Sequence, residues 1–441
     1  MNYSVGIVSL GCAKNRVDAE IMMHKLREGG YTLKSDPAMS DVALVNTCGF
    51  IESSKQESID EILELIELKK EGKIKAIVVT GCLAQRYNSE IMKELSEVDA
   101  VIGIGENENI CDVVERALNG EKTERFPDKE LLPLDGKRVQ STPQSWAYLR
   151  VADGCDNCCT YCAIPLIRGR FRSRKIESIV EEAKNLAENG VKELNIIAQD
   201  PTRYGEDIYG KLMLPTLLKE LCKIEKIKWI RLLYCYPDRI TDELIDTIKN
   251  EEKIVKYIDL PLQHCNGEIL SLMNRKGDKK SLSSLIQKIR KEIKDVVLRT
   301  TLIAGFPCET DENFEELCEF VDEMKFERLG CFAYSQEENT KAGEMENQID
   351  EDTKNERAKI ISEQQALIME NFCKNQVGKT LEVLVEGYDR YAECFFGRSV
   401  FDAPEVDPCV FFTAENKPKQ GDFVNVKITD FLDCDLTGEM I

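Results

Sequence analysis

The stretch VADGCDNCCTYCAIPLIRGR, residues 151–170, sets Cys155, Cys159 and Cys162 in a C-x3-C-x2-C frame. A strand-like run at 146–152 leads into it, and a loop carrying Arg168, Arg170, Arg172 and Arg174 follows. Three thiolates so close together, with no His near them, suit an iron-sulfur cluster or a soft metal rather than acid-base chemistry. A four-iron cubane held by three cysteines keeps one iron open, and that iron can take a substrate or cofactor directly. The alternative on the same residues is a zinc site, because Cys158 also permits C-x2-C-C-x2-C. Adjacent Cys158 and Cys159 would then have to turn toward one metal, whereas structural zinc pairs sit in separate knuckles far apart in the chain. Cys158 therefore reads as a bystander.

The frame, with the aromatic Tyr161 just before its last Cys, resembles the radical S-adenosylmethionine (SAM) enzymes. The resemblance implies a 4Fe-4S cluster on Cys155, Cys159 and Cys162, SAM bound at its open iron, and Tyr161 against the adenine.

A chain of 441 residues is too long for one ordinary core and is expected to form two to four domains. Its eighteen cysteines are spread along the whole length, and no secretory signal precedes them. The residues IVSLGC, 7–12, superficially match a lipoprotein cleavage site, but no Lys or Arg precedes them and the apolar run is too short. No apolar stretch approaches the roughly 18 residues that span a membrane. A reducing cytoplasm is the expected compartment. The net charge of −21, from 80 acidic and 59 basic residues, disfavours phosphate backbones and favours a basic partner, although an acidic surface also serves solubility alone.

Three short β-branched runs, 3–12, 42–48 and 76–82, each end in Cys, and helical patterns at 18–29 and 52–70 lie between them. Strand and helix in alternation imply a parallel sheet with crossover helices. Ligands of such sheets gather beyond the carboxyl ends of the strands, where Cys12, Cys48 and Cys82 would converge. One such Cys alone reads as buried and inert. Three in the same structural position point to joint metal ligation, with a thiol-disulfide relay as the alternative.

With the central frame, this second triad resembles the methylthiotransferase family. The match extends to LGCAKNRVDAE (10–20), NTCGFIESSKQES (46–58) and TGCLAQRY (80–87), with Ala13 where family members commonly have Pro. The resemblance implies a second 4Fe-4S cluster on Cys12, Cys48 and Cys82.

Residues 119–140 are polar and contain Pro, as a linker would. Strand-like runs follow at 146–152, 193–198, 229–235, 257–262, 297–304 and 328–334, with helical patterns at 176–189, 214–224, 242–250, 281–293 and 311–324. Six β/α units predict a partial barrel, the architecture the resemblance also implies. Catalytic groups of β/α barrels come from strand ends, so Gln199, Asp200, Gln263, His264 and the GFPCET run at 305–310 are the candidates for contacting SAM or substrate. Each has a plainer role open to it: Asp200 as a turn residue before Pro201, and His264 as a hydrogen-bonded structural group rather than a metal or acid-base one. Cys308 stands where the family usually has Gly, so a positive φ there would be strained. The chemistry identifies no catalytic side chain, because the cofactor carries it.

A long polar helix at 350–376 precedes a segment, 377–441, whose alternating apolar positions and Gly breaks predict a small β-barrel. The resemblance makes it a TRAM domain, an OB-like module. With six basic and thirteen acidic residues it lacks the basic face of an RNA clamp and suits a basic protein. Within the family, AQDPTRYG (198–205) and GRSVFDAPEVD (397–407) resemble the RimO-like branch, which modifies an aspartate of the twelfth small-subunit ribosomal protein. The other branch, MiaB-like, modifies a tRNA adenosine.

The expected chain is thus α/β throughout: an amino-terminal methylthiotransferase domain (1–118), a linker (119–140), a radical SAM core (141–376) and the terminal barrel (377–441). The resemblance implies β-methylthiolation of the ribosomal aspartate with two 4Fe-4S clusters, SAM and an external electron donor; composition and charge predict no membrane attachment and no direct nucleic-acid binding. The alternatives are a tRNA methylthiotransferase, a radical SAM enzyme of another reaction type, and a zinc-binding scaffold without activity.

Overall fold

The computed structural model of the protein describes residues 3–441. It divides into two compact units: 1–141 with 152–174 and 337–343, and the remainder of the chain.

The first unit is built on a parallel sheet of β1 (Ser4–Ser9), β2 (Thr32–Lys34), β3 (Val42–Thr47), β4 (Ala76–Gly81), β5 (Ala100–Ile102) and β6 (Thr123–Arg125), in the order β2-β1-β3-β4-β5-β6. β3 and β4 are buried at every position, which is why VALVNT and AIVVTG read as continuous apolar runs rather than alternating ones. One face, through Leu44 and Val78, packs on α1 (Ala13–Glu28) and α4 (Ile110–Leu118); the other, through Val45 and Val79, packs on α2 (Glu52–Lys70) and α3 (Cys82–Glu94).

The expected strands ending in Cys and the helix at 52–70 are present, with two differences of note. α1 starts at residue 13 rather than 18, because its first turns bury Lys14, Asn15, Asp18 and Glu20 alongside Ala13, Val17 and Ala19, which blurs the hydrophobic period. The stretch 119–140, read as a linker, begins with edge strand β6, too short to announce itself in the sequence.

β7 (Trp146–Arg150) belongs to the second unit. The chain then returns to the first for β8 (Ala152–Asp153), the cysteine frame, α5 (Ile164–Arg168) and β9 (Arg172–Ser173), which pairs antiparallel with β8. The second unit continues with β10 (Glu193–Ile197), β11 (Trp229–Leu232), β12 (Ile254–Asp259), β13 (Val297–Ala304) and β14 (Arg328–Ala333). With β7 these make an open parallel sheet in sequential order, β14-β13-β12-β11-β10-β7. The helices α6 (Ile176–Glu188), α7 (Glu206–Tyr209), α8 (Leu214–Cys222), α9 (Asp242–Asn250), α10 (Gly267–Leu272), α11 (Lys279–Glu292) and α12 (Asp311–Met324) fill the crossovers.

The strand expected at 257–262 lies three residues earlier, since Pro261 cannot donate to a ladder. The helix expected from 281 starts two residues earlier, where Asp278 and Ser281 form a reciprocal capping box.

After α13 (Glu351–Lys374), the chain closes a five-stranded barrel of β15 (Thr380–Asp389), β16 (Cys394–Ser399), β17 (Val410–Thr413), β18 (Phe423–Leu432) and β19 (Asp435–Met440). Alternate residues such as Val383, Val385, Val426 and Ile428 fill it. Among the described residues no helix is long and apolar enough to cross a membrane.

Candidate metal and cofactor centre

Cys12, Cys48 and Cys82 follow directly on β1, β3 and β4, three adjacent strands of one parallel sheet. The strand order reverses between β1 and β3, the position at which open α/β sheets hold ligands. Cys12 is the N-cap of α1 and Cys82 opens α3, so two of the thiols stand at helix amino termini. Such ends favour thiolate over thiol. Glycines allow the close approach. Gly11 has φ +83°, and a Cβ there would lie 2.8 Å from Cys48 Sγ; one on Gly81, at φ +95°, would lie 2.5 Å from the backbone of Thr47.

The thiols act on one another, and Arg168 acts on Cys12 and Cys82. Desolvation opposes ionisation of Cys12, yet Lys14, Arg168 and backbone hydrogen bonds from Asn15 and Lys14 hold it below its ordinary value. Burial pushes Cys48 up, with the charge of Cys12 adding to it. Cys82 rises to about 12 through burial, against the attraction of Arg168. Metal binding releases the protons that burial retains.

In the cysteine frame, Cys155, Cys159 and Cys162 are half-buried, and all eighteen cysteines are free thiols. The Cys162 amide donates to the carbonyl of Cys159 (3.0 Å) and that of Cys155 to the carbonyl of Gly169 (3.2 Å), closing the loop into a compact bowl with Tyr161 on its last turn. Gly154 has φ +77°, and a Cβ there would meet the carbonyl oxygen of Arg170 at 2.0 Å, so no other residue fits. Cys158 is exposed, at φ +51°. Among the described residues no three His, Cys, Asp or Glu side chains lie close enough to share one metal ion. A four-iron cubane, in which each thiolate takes its own iron, does not require that.

Arg168 connects the two triads within this unit. Its guanidinium is 1% exposed, pairs with Asp18 and Asp153 at 2.8 Å each, and donates to Asn15 Oδ1 (3.3 Å) and to Cys82 Sγ (3.8 Å). The sequence showed only a basic loop there. Arg86, one helical turn beyond Cys82, donates to the carbonyl of Gly49 (3.1 Å) and pairs with buried Glu337 (2.6 Å), which also takes Lys55 at 3.2 Å. Both basic residues lie in the motifs quoted for the family, but their shared acid comes from a segment some 250 residues away that no local pattern marks.

In the second unit the strand-end candidates are held mainly by their neighbours. Asp200 is buried, with its carboxylate taken by Thr202 and by Arg239 (3.1 Å). Gln263 has φ +72° and is stitched to β13 by its own amide and carbonyl, bonds in which its side chain takes no part. Gln199 follows β10 half-buried. His264 is fully enclosed: Nδ1 accepts from the Asn266 amide (2.9 Å), so the ring proton sits on Nε2, 3.4 Å from Glu309. Glu309, within the GFPCET run expected at the site, receives the amides of Gly305 (3.0 Å) and Phe306 (3.4 Å) and the guanidinium of Arg357 (2.8 Å). Cys308 has φ +70°, the strained conformation expected where relatives use Gly.

Comparison with known proteins places these features. Residues 4–103 match the family described as uncharacterized protein family UPF0004, 149–321 the radical SAM superfamily, and 377–441 the TRAM domain. Membership of the radical SAM superfamily implies SAM and a 4Fe-4S cluster. Among solved structures, the radical SAM methyltransferase TsrM from Kitasatospora setae aligns with a TM-score of 0.55 over 78% of this chain and 77% of its own, at 13% identity, a likeness of fold alone. The ribosomal protein uS12 methylthiotransferase RimO of Thermoanaerobacter sp. (strain X514) is 49% identical over 437 residues, 99% of each chain. That of Clostridium botulinum (strain Eklund 17B / Type B) is 48% identical over 440 residues, 99% of this chain and 98% of its own. On that end-to-end similarity, the chain belongs to the RimO family of radical SAM methylthiotransferases.

Proposed function

We propose that this protein adds a methylthio group to the β-carbon of an aspartate in ribosomal protein uS12. The observation that carries the reading is the near-50% identity, over the full length of both chains, to relatives named for that activity.

Cys155, Cys159 and Cys162 would hold the cluster that binds SAM, and Cys12, Cys48 and Cys82 a second 4Fe-4S cluster that delivers the methylthio group. Together with SAM the clusters supply one-electron chemistry, which an unactivated C–H bond requires and a side-chain base cannot replace. The chain's own tasks are to position and to shield. Three cysteines per cluster leave a coordination site for a ligand. Arg168 offsets thiolate charge without water, and Tyr161, Gln199, Asp200 and Gln263 are the groups proposed to line the SAM site. The terminal barrel, with a net charge of −7, suits a strongly basic ribosomal protein and repels a phosphate backbone, so direct binding to nucleic acid is not expected. Electrons come from an external donor. Eighteen free thiols and two clusters fit the reducing cytoplasm where ribosomes are made.

The test is iron content with product mass. Anaerobically reconstituted protein should hold about eight irons per chain, and Cys12→Ala or Cys155→Ala about four. The wild type should add one methylthio group to uS12 and nothing to RNA stripped of protein. About four irons, unaffected by Cys12→Ala, would remove the second cluster and with it this reading; modified RNA would move the chain to the tRNA branch.

A further inference from the structure

The tract GRSVFDAPEVD, 397–407, runs from the end of β16 and is largely enclosed: Arg398 is 1% exposed, Ser399 0%, Asp402 3% and Ala403 0%. Every strand of the six-stranded sheet sends it a polar side chain. Tyr148 of β7 donates to Glu405 (2.9 Å), Glu193 of β10 takes Arg398 (2.6 Å), and Arg231 of β11 donates to the carbonyl of Val400 (3.0 Å). Tyr257 of β12 donates to Asp407 (2.6 Å), Arg299 of β13 stands 3.6 Å from the same carboxylate, and Arg328 of β14 pairs with Asp402 (2.7 Å).

These side chains lie in shared rows: Tyr148 and Arg231 both register with Asn195, and Arg299 registers with Arg328. Glu193 and Arg328 are the first residues of their strands. Gln199 and Gln263 follow the opposite, carboxyl ends. The polar layer therefore lies toward the end of the sheet away from the candidate site residues.

The sheet is open, with β7 and β14 as its two edges and no ladder between them. The tract holds both, one through Glu405 and the other through Asp402. Barrels fix their curvature by closing the last strand on the first, and here eleven residues of the terminal barrel take the place of that closure. Apart from exposed Glu405 and half-buried Arg299, the charges are enclosed, so a shift in strand spacing would leave a guanidinium or a carboxylate unpaired in the interior. Only Glu405 and Val406 of the tract are exposed, so it offers a macromolecular substrate few side chains to hold.

We propose that residues 397–407 are a positioning element of the catalytic core: by tying both edges of the open sheet to one point, they set its curvature and so the spacing of the strand-end residues that bind SAM. The sequence feature that marks the substrate branch would then act mechanically, as the floor of the core. The packing argument is independent of the activity; the link to SAM rests on the function proposed above.

The experiment uses the full-length, reconstituted protein with Asp402→Asn, Asp407→Asn and the milder Tyr257→Phe, which removes one hydroxyl and keeps the fold testable if the Asp variants do not accumulate. Amide hydrogen exchange should quicken about tenfold in the strands and in the strand-end segments 198–204 and 260–265. SAM cleavage without ribosomal protein should show a raised KM for SAM, a smaller change in kcat and unchanged iron. Quickened exchange confined to 397–407 with KM for SAM unaltered would overturn the proposal. So would a rise in KM for uS12 alone, which would make the tract a substrate grip. Because exchange and SAM cleavage need no uS12, failure of the methylthio transfer would leave this test intact.

Discussion

Replacing Arg168 by Met is expected to lower the unfolding free energy by about 3–5 kcal/mol and to reduce iron loading at both cysteine triads. Asp18 and Asp153 have side chains 1% and 0% exposed, and each meets Arg168 at 2.8 Å. Removing the cation leaves two carboxylates buried without it, the situation in which a broken buried pair is most costly. The same substitution takes the hydrogen-bond donor from Cys82 Sγ and the tie between the cysteine frame and α1. Arg168→Lys keeps the charge but cannot span two acids and a thiol with one fork, so it should fall between the variant and wild type. Chemical denaturation and iron analysis of the three proteins decide the matter. The argument fails if Arg168→Met unfolds with the wild type, or if it loses iron at one triad only, as a single ligand substitution would.

What could be read from the sequence was whatever left a local pattern. β3 and β4 were visible as continuous β-branched runs because both faces are covered, and Cys12, Cys48 and Cys82 were visible as a set because each ends such a run. The cysteine frame needed only spacing. What escaped were charges whose meaning depends on a distant partner. Arg168 looked like one basic residue among four until Asp18 and Asp153 enclosed it. α1 hid its first turns because they bury polar groups beside the cysteines. α13 hid its inner face in the same way: Lys354, Arg357, Ala358, Ile361 and Gln365 follow helical spacing and are all buried, but three of the five are polar, so the helix read as solvated along its length. His264 could not be assigned by residue type, and its enclosure against Glu309 left no local pattern in the sequence.

That inner face of α13 bears on the second large effect, expected of Glu309→Gln. Glu309 closes the loop after β13: two amides point at its carboxylate, and Arg357 of α13 bonds both its Oε1 (2.8 Å) and its backbone carbonyl (3.1 Å). Lys354, one turn earlier, packs so closely on Gly305 that a Cβ there would lie 2.4 Å from Lys354 Cγ, and at φ +73° only Gly is comfortable. A Gln of the same shape presents an NH2 to a crowd of donors, so one amide or the guanidinium loses its acceptor in a site closed to bulk solvent. The expected loss is about 3 kcal/mol in denaturant unfolding. Asp311→Asn is the control, since that carboxylate pairs with the same Arg357 at 2.6 Å but is 89% exposed, and it should cost under about 1 kcal/mol. If the loop after β13 contributes to the SAM site as proposed, Glu309→Gln also raises KM for SAM while Asp311→Asn leaves it unchanged. Equal effects of the two substitutions on stability would show that the pairing is superficial and that α13 does not hold the loop.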